Sequence, residues 1–167
     1  MNAEGFRTLI DYQFWARDKL LAAAEGLSDE ELARPNGFTY QSILGIFAHL
    51  VRGESLMHTR IRGEAPAAGA SPPAPETMAD IKAAWAEVEK KARVYFEGLS
   101  DADLEGERVQ VGRDGKELVW SLWQYIINLA THSGQHRSEA AEALTMVGHS
   151  PGDLDFSVYM RFLRDGR

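Results

Sequence analysis

The stretch that decides the fold is residues 121–147, SLWQYIINLATHSGQHRSEAAEALTMV, which carries the clearest helical signal in the chain. Most of its apolar residues, together with Ser133 and His136, share one face: Leu122, Tyr125, Ile126, Leu129, Ala140, Ala143, Leu144 and Val147. At about 100° per residue, His136 lies near the middle of this face and His132 lies about 40° from it. The pattern predicts an amphipathic helix that directs two imidazoles toward a core.

Three more segments show the same periodicity: residues 3–25, residues 39 or 40 to 62, and the segment from Thr77 to about Gly98. Thr77-Met78-Ala79-Asp80 resembles a capping box, with Asp in place of Glu, at the start of the last of these. A final short helix starts between Asp153 and Asp155. Four amphipathic helices of about 20 residues or more predict an all-α protein, a four-helix bundle. At this length the whole chain, residues 1–167, is expected to form a single domain.

Two segments interrupt the helical pattern. Residues 64–76 contain four prolines and cannot be helical throughout, so we expect an exposed connection across the end of the domain. Between residues 108 and 120 the apolar pattern alternates, and Asp114-Gly115 is a strong turn pair. This predicts a small hairpin before the fourth helix.

Composition excludes several classes of function. The chain has 18 Lys and Arg against 25 Asp and Glu, and the net charge of −7 argues against nucleic acid as a partner. The absence of cysteine excludes a disulfide scaffold, a thiolate metal site and a cysteine nucleophile. With no run of 18 apolar residues and no signal peptide visible in residues 1–10, we expect no membrane association and a cytoplasmic location.

The histidines are the candidate site residues. His132 and His136 are four residues apart, so both imidazoles stack on one helix face and can reach one ion. His49 is the natural third ligand, because it flanks the apolar stripe of the second helix, where Gly45 and Gly53 leave room. Three imidazoles suit Zn²⁺, Ni²⁺ or Fe²⁺, and they leave one coordination position open. The alternative is that each is a hydrogen-bonded core histidine.

The remaining polar candidates have weaker signals. Glu139 is either a hydrogen-bond partner of a ligating imidazole, a fourth ligand or a solvated carboxylate. Arg137 either binds an anionic substrate or pairs with an acidic side chain. His58 is expected on the exposed side of the second helix, and His149 in the turn after the fourth helix. No nucleophile elbow and no phosphate-binding glycine loop are present.

Four motifs together resemble the DinB/YfiT-like family. Residues 43–50, ILGIFAHL, resemble its second-helix motif, and residues 128–137, NLATHSGQHR, are similar to its HxxxHR motif. Residues 12–16, YQFWA, match its aromatic-Trp-Ala start, and residues 148–159, GHSPGDLDFSVY, resemble its Pro-x-Asp-Leu-Asp close. Ser138-Glu139 departs from this pattern, because Gly-Gln is frequent at these two positions in the family.

The resemblance implies a homodimeric four-helix bundle with a divalent metal ion, Zn²⁺ favoured, held by His49, His132 and His136. Some relatives are S-transferases or isomerases that use low-molecular-weight thiols such as bacillithiol or mycothiol, and others are associated with stress or DNA damage. We therefore expect a metal-dependent enzyme with a small-molecule substrate, such as a thiol S-transferase that uses a thiol from outside. The alternatives are a metal-dependent hydrolase using bound hydroxide, or a non-enzymatic dimeric stress-response or binding module with a structural metal.

Overall fold

The computed structural model describes residues 1–37, 39–64, 74–111 and 115–166. Within these residues it is a helical bundle with one small hairpin, as the sequence predicts. The elements are α1 (Ala3–Ala23), α2 (Asp29–Ala33), α3 (Ile43–Ile61), α4 (Met78–Glu97), a 3₁₀ turn (Asp101–Glu105), β1 (Glu107–Val111), β2 (Glu117–Ser121), α5 (Leu122–Met146) and α6 (Phe156–Asp165).

The four long helices pack in a ring. Helix α5 packs against α1 and α3, and α4 packs against α3 and α1. Their buried residues form two apolar clusters, one at each end of the bundle. Phe6, Phe96 and Ile126 belong to the first cluster, whereas Phe47 and Leu144 belong to the second. Along α1, α3 and α5, buried polar side chains lie between the residues of these two clusters.

The order of the clusters along each helix fixes the direction of the chain. Helices α1 and α5 run from the first cluster to the second, and α3 and α4 run from the second to the first. Because α3 and α4 are parallel, Ile61 and Met78 lie at opposite ends of the bundle. The proline-rich connection therefore links the two ends, and the expectation that it crosses one end of the domain is wrong. Most of it, residues 65–73, lies outside the described residues.

Helix α3 begins later than the periodicity predicts, at Ile43 instead of residue 39 or 40. The Ser42 side chain caps it by accepting a hydrogen bond from the Gly45 N–H at 3.0 Å. Gln41 has a left-handed backbone, with φ of 64°, which cannot continue a helix from the preceding residues. The predicted capping box at Thr77 and Asp80 is present at the start of α4.

The predicted hairpin is present as well. Strands β1 and β2 pair antiparallel, with Val109 opposite Val119. Asp114, half of the predicted turn pair, lies outside the described residues. No helix among the described residues combines the length and the apolarity that a membrane span requires.

Candidate metal centre

Three imidazoles meet in the groove between α3 and α5. His49 comes from α3, and His132 and His136 come from successive turns of α5. One ring nitrogen of each lies within 4.8 Å of the others. The ring centroids of His49 and His136 are 4.5 Å apart, and those of His132 and His136 are 4.7 Å apart. The structure thus brings together the three residues that the sequence singled out as ligands.

Two glycines near the site have separate roles. A Cβ on Gly53 would lie 3.3 Å from Nε2 of His132, so this glycine makes room for His132. A Cβ on Gly45 would lie 2.1 Å from the backbone oxygen of Tyr40, so this glycine admits the chain that precedes α3. The expectation that both glycines leave room beside His49 is therefore wrong, because the face of α3 that carries Gly53 is turned toward α5.

The site keeps two of its imidazoles, those of His49 and His132, uncharged at neutral pH. Burial, together with the neighbouring His136 and His132, lowers the pKa of His49 to about 4. Burial and the neighbouring His136 also lower the pKa of His132. Neutral imidazole is the form that coordinates a metal ion, so at neutral pH these two rings offer lone pairs and no positive charge.

Glu139 orients His136. The Nδ1–H of His136 donates a hydrogen bond to Oε2 of Glu139 at 2.8 Å. In the neutral ring this contact sets the tautomer, with the proton on Nδ1 and the lone pair on Nε2, as is usual for a histidine that binds a metal. Of the three roles that the sequence leaves open for Glu139, the structure shows the hydrogen-bond partner.

The donor set fits a divalent ion. Zn–N bonds of about 2.0–2.1 Å hold two nitrogens of a tetrahedral site roughly 3.4 Å apart. The nitrogens in this group are all within 4.8 Å of one another, so each pair needs to approach by at most about 1.4 Å to reach that separation. With three nitrogen ligands and one imidazole oriented by a carboxylate, His49, His132 and His136 could hold a metal ion.

Beside the site lies a buried ion pair between Arg137 and Glu54. The sequence indicated that Arg137 could pair with an acidic side chain but did not identify Glu54. Arg137 donates to Oε1 of Glu54 at 2.7 Å, and also donates to Gln13. Nε1 of Trp85 donates to Oε2 of Glu54 at 2.8 Å. Of the two roles considered for Arg137, the structure shows the ion pair. Glu54 lies within about 20° of the centre of the apolar stripe of α3, and this position was the available signal.

His58 corrects another expectation. It is not on an exposed side of the helix but is only 3% exposed, stacked on Phe14 at 6.3 Å between ring centroids. The cause is that α1 and α4 both cover this face of α3, and Phe96 of α4 meets the ring edge-on. His149 follows α5 as predicted, and its Nδ1 lies 3.0 Å from the backbone oxygen of Ala23.

The family model described as the DinB superfamily matches residues 15–140 of the chain. The chain belongs to the DinB superfamily. This confirms the resemblance predicted from the four motifs. A solved structure with the same fold is that of a DinB-like protein from Bacillus cereus ATCC 10987. It is 15% identical in sequence and has a TM-score of 0.67, with 91% of this chain and 97% of that chain covered. No curated protein matches the chain.

Within this DinB chain, sequence reasoning missed Tyr40, an aromatic residue that contacts the histidine site. Its hydroxyl lies 3.0 Å from Nε2 of His49, and its ring is stacked on that imidazole. No periodic signal identifies it, since it precedes α3 in a turn.

Proposed function

We propose that the chain is a metal-dependent enzyme in which His49, His132 and His136 hold a divalent ion, Zn²⁺ favoured. The observation that carries the proposal is the convergence of three ring nitrogens within 4.8 Å of one another. The hydrogen bond from His136 to Glu139 supports it, because such a carboxylate orients and strengthens a metal-bound imidazole.

We further propose that the reaction is the transfer of a low-molecular-weight thiol to a small electrophile. A divalent ion held by these three histidines would favour the deprotonated form of a bound thiol or water molecule. Because the chain has no cysteine, the thiol must come from solution. In the transfer, sulfur forms a bond to the electrophilic carbon, the bond to the leaving group breaks, and the thiol proton departs with that group.

The protein leaves one coordination position of the proposed metal site for such a ligand. Glu139 is engaged by His136, which argues against its use as a fourth ligand and for a position open to substrate. A position open to substrate is typical of a catalytic metal site, whereas a structural site is closed by four protein ligands.

Metal content tests the first step. We expect the purified protein to bind one divalent ion per chain, measured by inductively coupled plasma mass spectrometry after dialysis against zinc. His132→Ala should lose most of the metal, whereas His149→Ala, which removes an imidazole outside the group, should retain it. Wild-type protein without stoichiometric metal, or unchanged metal in His132→Ala, contradicts the proposal.

Turnover tests the second step. The zinc-loaded protein is mixed with a set of small electrophiles, with and without low-molecular-weight thiols, and product is measured by mass spectrometry. Product that contains the thiol sulfur supports the transferase. Turnover with water alone supports the metal-dependent hydrolase instead.

We also propose a homodimer that uses the outer face of α6. Phe156, Met160 and Leu163 follow one another at helical spacing and are 41%, 43% and 51% exposed. Sedimentation should show a dimer at micromolar concentration, and Met160→Glu should convert it to a monomer. A wild-type monomer at these concentrations refutes this assembly.

A further inference from the structure

Tyr40 sits directly on the histidine group. Its hydroxyl oxygen is 3.0 Å from Nε2 of His49, and the two rings are stacked with centroids 3.9 Å apart and planes 18° from parallel. Its ring also meets His136 edge-on, with centroids 5.3 Å apart. The phenol therefore contacts the imidazoles of both helices that form the site.

The backbone around Tyr40 is built to hold it there. The Tyr40 carbonyl oxygen accepts a hydrogen bond from the Ser42 N–H at 2.8 Å. The same oxygen occupies the space that a Cβ on Gly45 would need. Gln41, between them, has φ of 64°, and its carbonyl accepts from the Asn36 N–H at 2.8 Å. A non-glycine residue in the left-handed region is uncommon and persists only where its surroundings fix it, and such residues cluster at functional sites.

The stacked geometry leaves His49 free to bind a metal ion. Because the rings are nearly parallel, the phenol oxygen reaches Nε2 from above the plane of the imidazole. The lone pair of Nε2 lies in that plane, so Tyr40 does not occupy its direction. The hydroxyl, protonated at neutral pH, remains close to the ligand group with a hydrogen to donate.

We propose that Tyr40 donates a hydrogen bond to the small anionic ligand or substrate atom that takes the position left open by the three histidines. This inference rests on the proposed metal site and adds a specific recognition group to it. Tyr40 thereby favours an atom that carries negative charge, such as a thiolate or an azide, over a neutral one.

Cobalt and azide separate the two roles that Tyr40 can have. Co²⁺ is titrated into wild type, Tyr40→Phe and Tyr125→Phe, and its affinity is read from the visible absorption bands. Azide is then titrated into each loaded protein. Tyr125→Phe is the matched control, because it removes a phenol whose hydroxyl donates to Gln110 at 3.2 Å, outside the histidine group.

We expect Tyr40→Phe to bind Co²⁺ within about threefold of wild type and azide about tenfold more weakly, the loss expected for one hydrogen bond to a charged acceptor. Tyr125→Phe should match wild type in both titrations. Unchanged azide affinity in Tyr40→Phe overturns the inference and leaves the metal site standing. Weakened Co²⁺ binding with unchanged azide affinity also overturns it, since Tyr40 then orients His49. A wild type that binds no Co²⁺ refutes the proposed function itself.

Discussion

Replacing Glu54 with glutamine removes one charge from the buried pair with Arg137 and keeps the shape of the side chain. Both partners are nearly inaccessible to solvent, at 2% and 4% exposed. In the variant, the guanidinium stays buried with only neutral acceptors, the new amide and Gln13. The desolvation of the cation is then uncompensated. The amide also has one oxygen where the carboxylate has two, so its NH₂ group faces either Arg137 or the Trp85 N–H, and that donor loses its acceptor.

The expected loss of stability is large. Removing one partner of a buried ion pair costs about 3–5 kcal/mol, and the retained amide places Glu54→Gln near 3 kcal/mol. A domain of this size has roughly 5–15 kcal/mol of stability, so the variant should remain folded at 25 °C. Glu64→Gln is the matched control: Glu64 pairs with Arg62 at 2.8 Å but its side chain is 57% exposed, and the loss there should stay below about 1 kcal/mol.

Urea denaturation followed by circular dichroism measures the stability of both variants. The slope of the unfolding free energy against urea concentration should be the same as in wild type. A double variant with Arg137→Met completes a cycle. If the charges depend on each other, the double variant should be less destabilised than the sum of the single variants by about 2 kcal/mol or more. A Glu54→Gln protein no less stable than Glu64→Gln, or additive effects in the cycle, would show that the pair is not a buried, coupled contact.

Three further predictions concern the site and its surroundings. Glu139→Gln should weaken zinc affinity about 10–100-fold, measured by competition with a chelator. Glu142→Gln, about one helical turn further along α5, should leave the zinc affinity unchanged. Gly53→Ala should also weaken zinc binding because its methyl group meets the imidazole at 3.3 Å, whereas Gly134→Ala, with open space around it, should preserve zinc binding and stabilise the fold by up to about 1 kcal/mol. Burial lowers the pKa of His58 to about 4, so as the pH falls the unfolded chain takes up the proton before the folded chain does. The stability from the neutral ring is fully present above pH 6.5 and is lost toward pH 4, with a loss of about 2 kcal/mol at pH 4.5. Urea titrations at pH 7 and pH 4.5 should show that His58→Phe removes this part of the loss. Equal pH dependence in the two proteins, or zinc affinities that do not separate each variant from its control, contradicts the corresponding prediction.

The sequence by itself determined the elements of this protein. Apolar periodicity indicated four long helices, and the spacing of His132 and His136 placed two imidazoles on one face of α5, because both are properties of a single helix. Capping residues marked the start of α4 at Thr77 for the same reason: the hydrogen bonds that satisfy the first turn come from neighbours in the chain.

Only the tertiary structure decided which faces meet. Periodicity identifies the main apolar stripe of a helix but not which flanking faces its neighbours cover, so His58 was wrongly expected to be exposed. For the same reason the partner of Arg137 follows only from the packing of α1, α4 and α5 around α3. Tyr40 had no periodic signal at all. Its position depends on the left-handed backbone of Gln41 and on Gly45 in the first turn of α3, where the lack of a Cβ makes room for the Tyr40 carbonyl. The histidine group lies between these two cases. Its members are visible in the sequence, but their approach to within 4.8 Å results from the packing of α3 against α5.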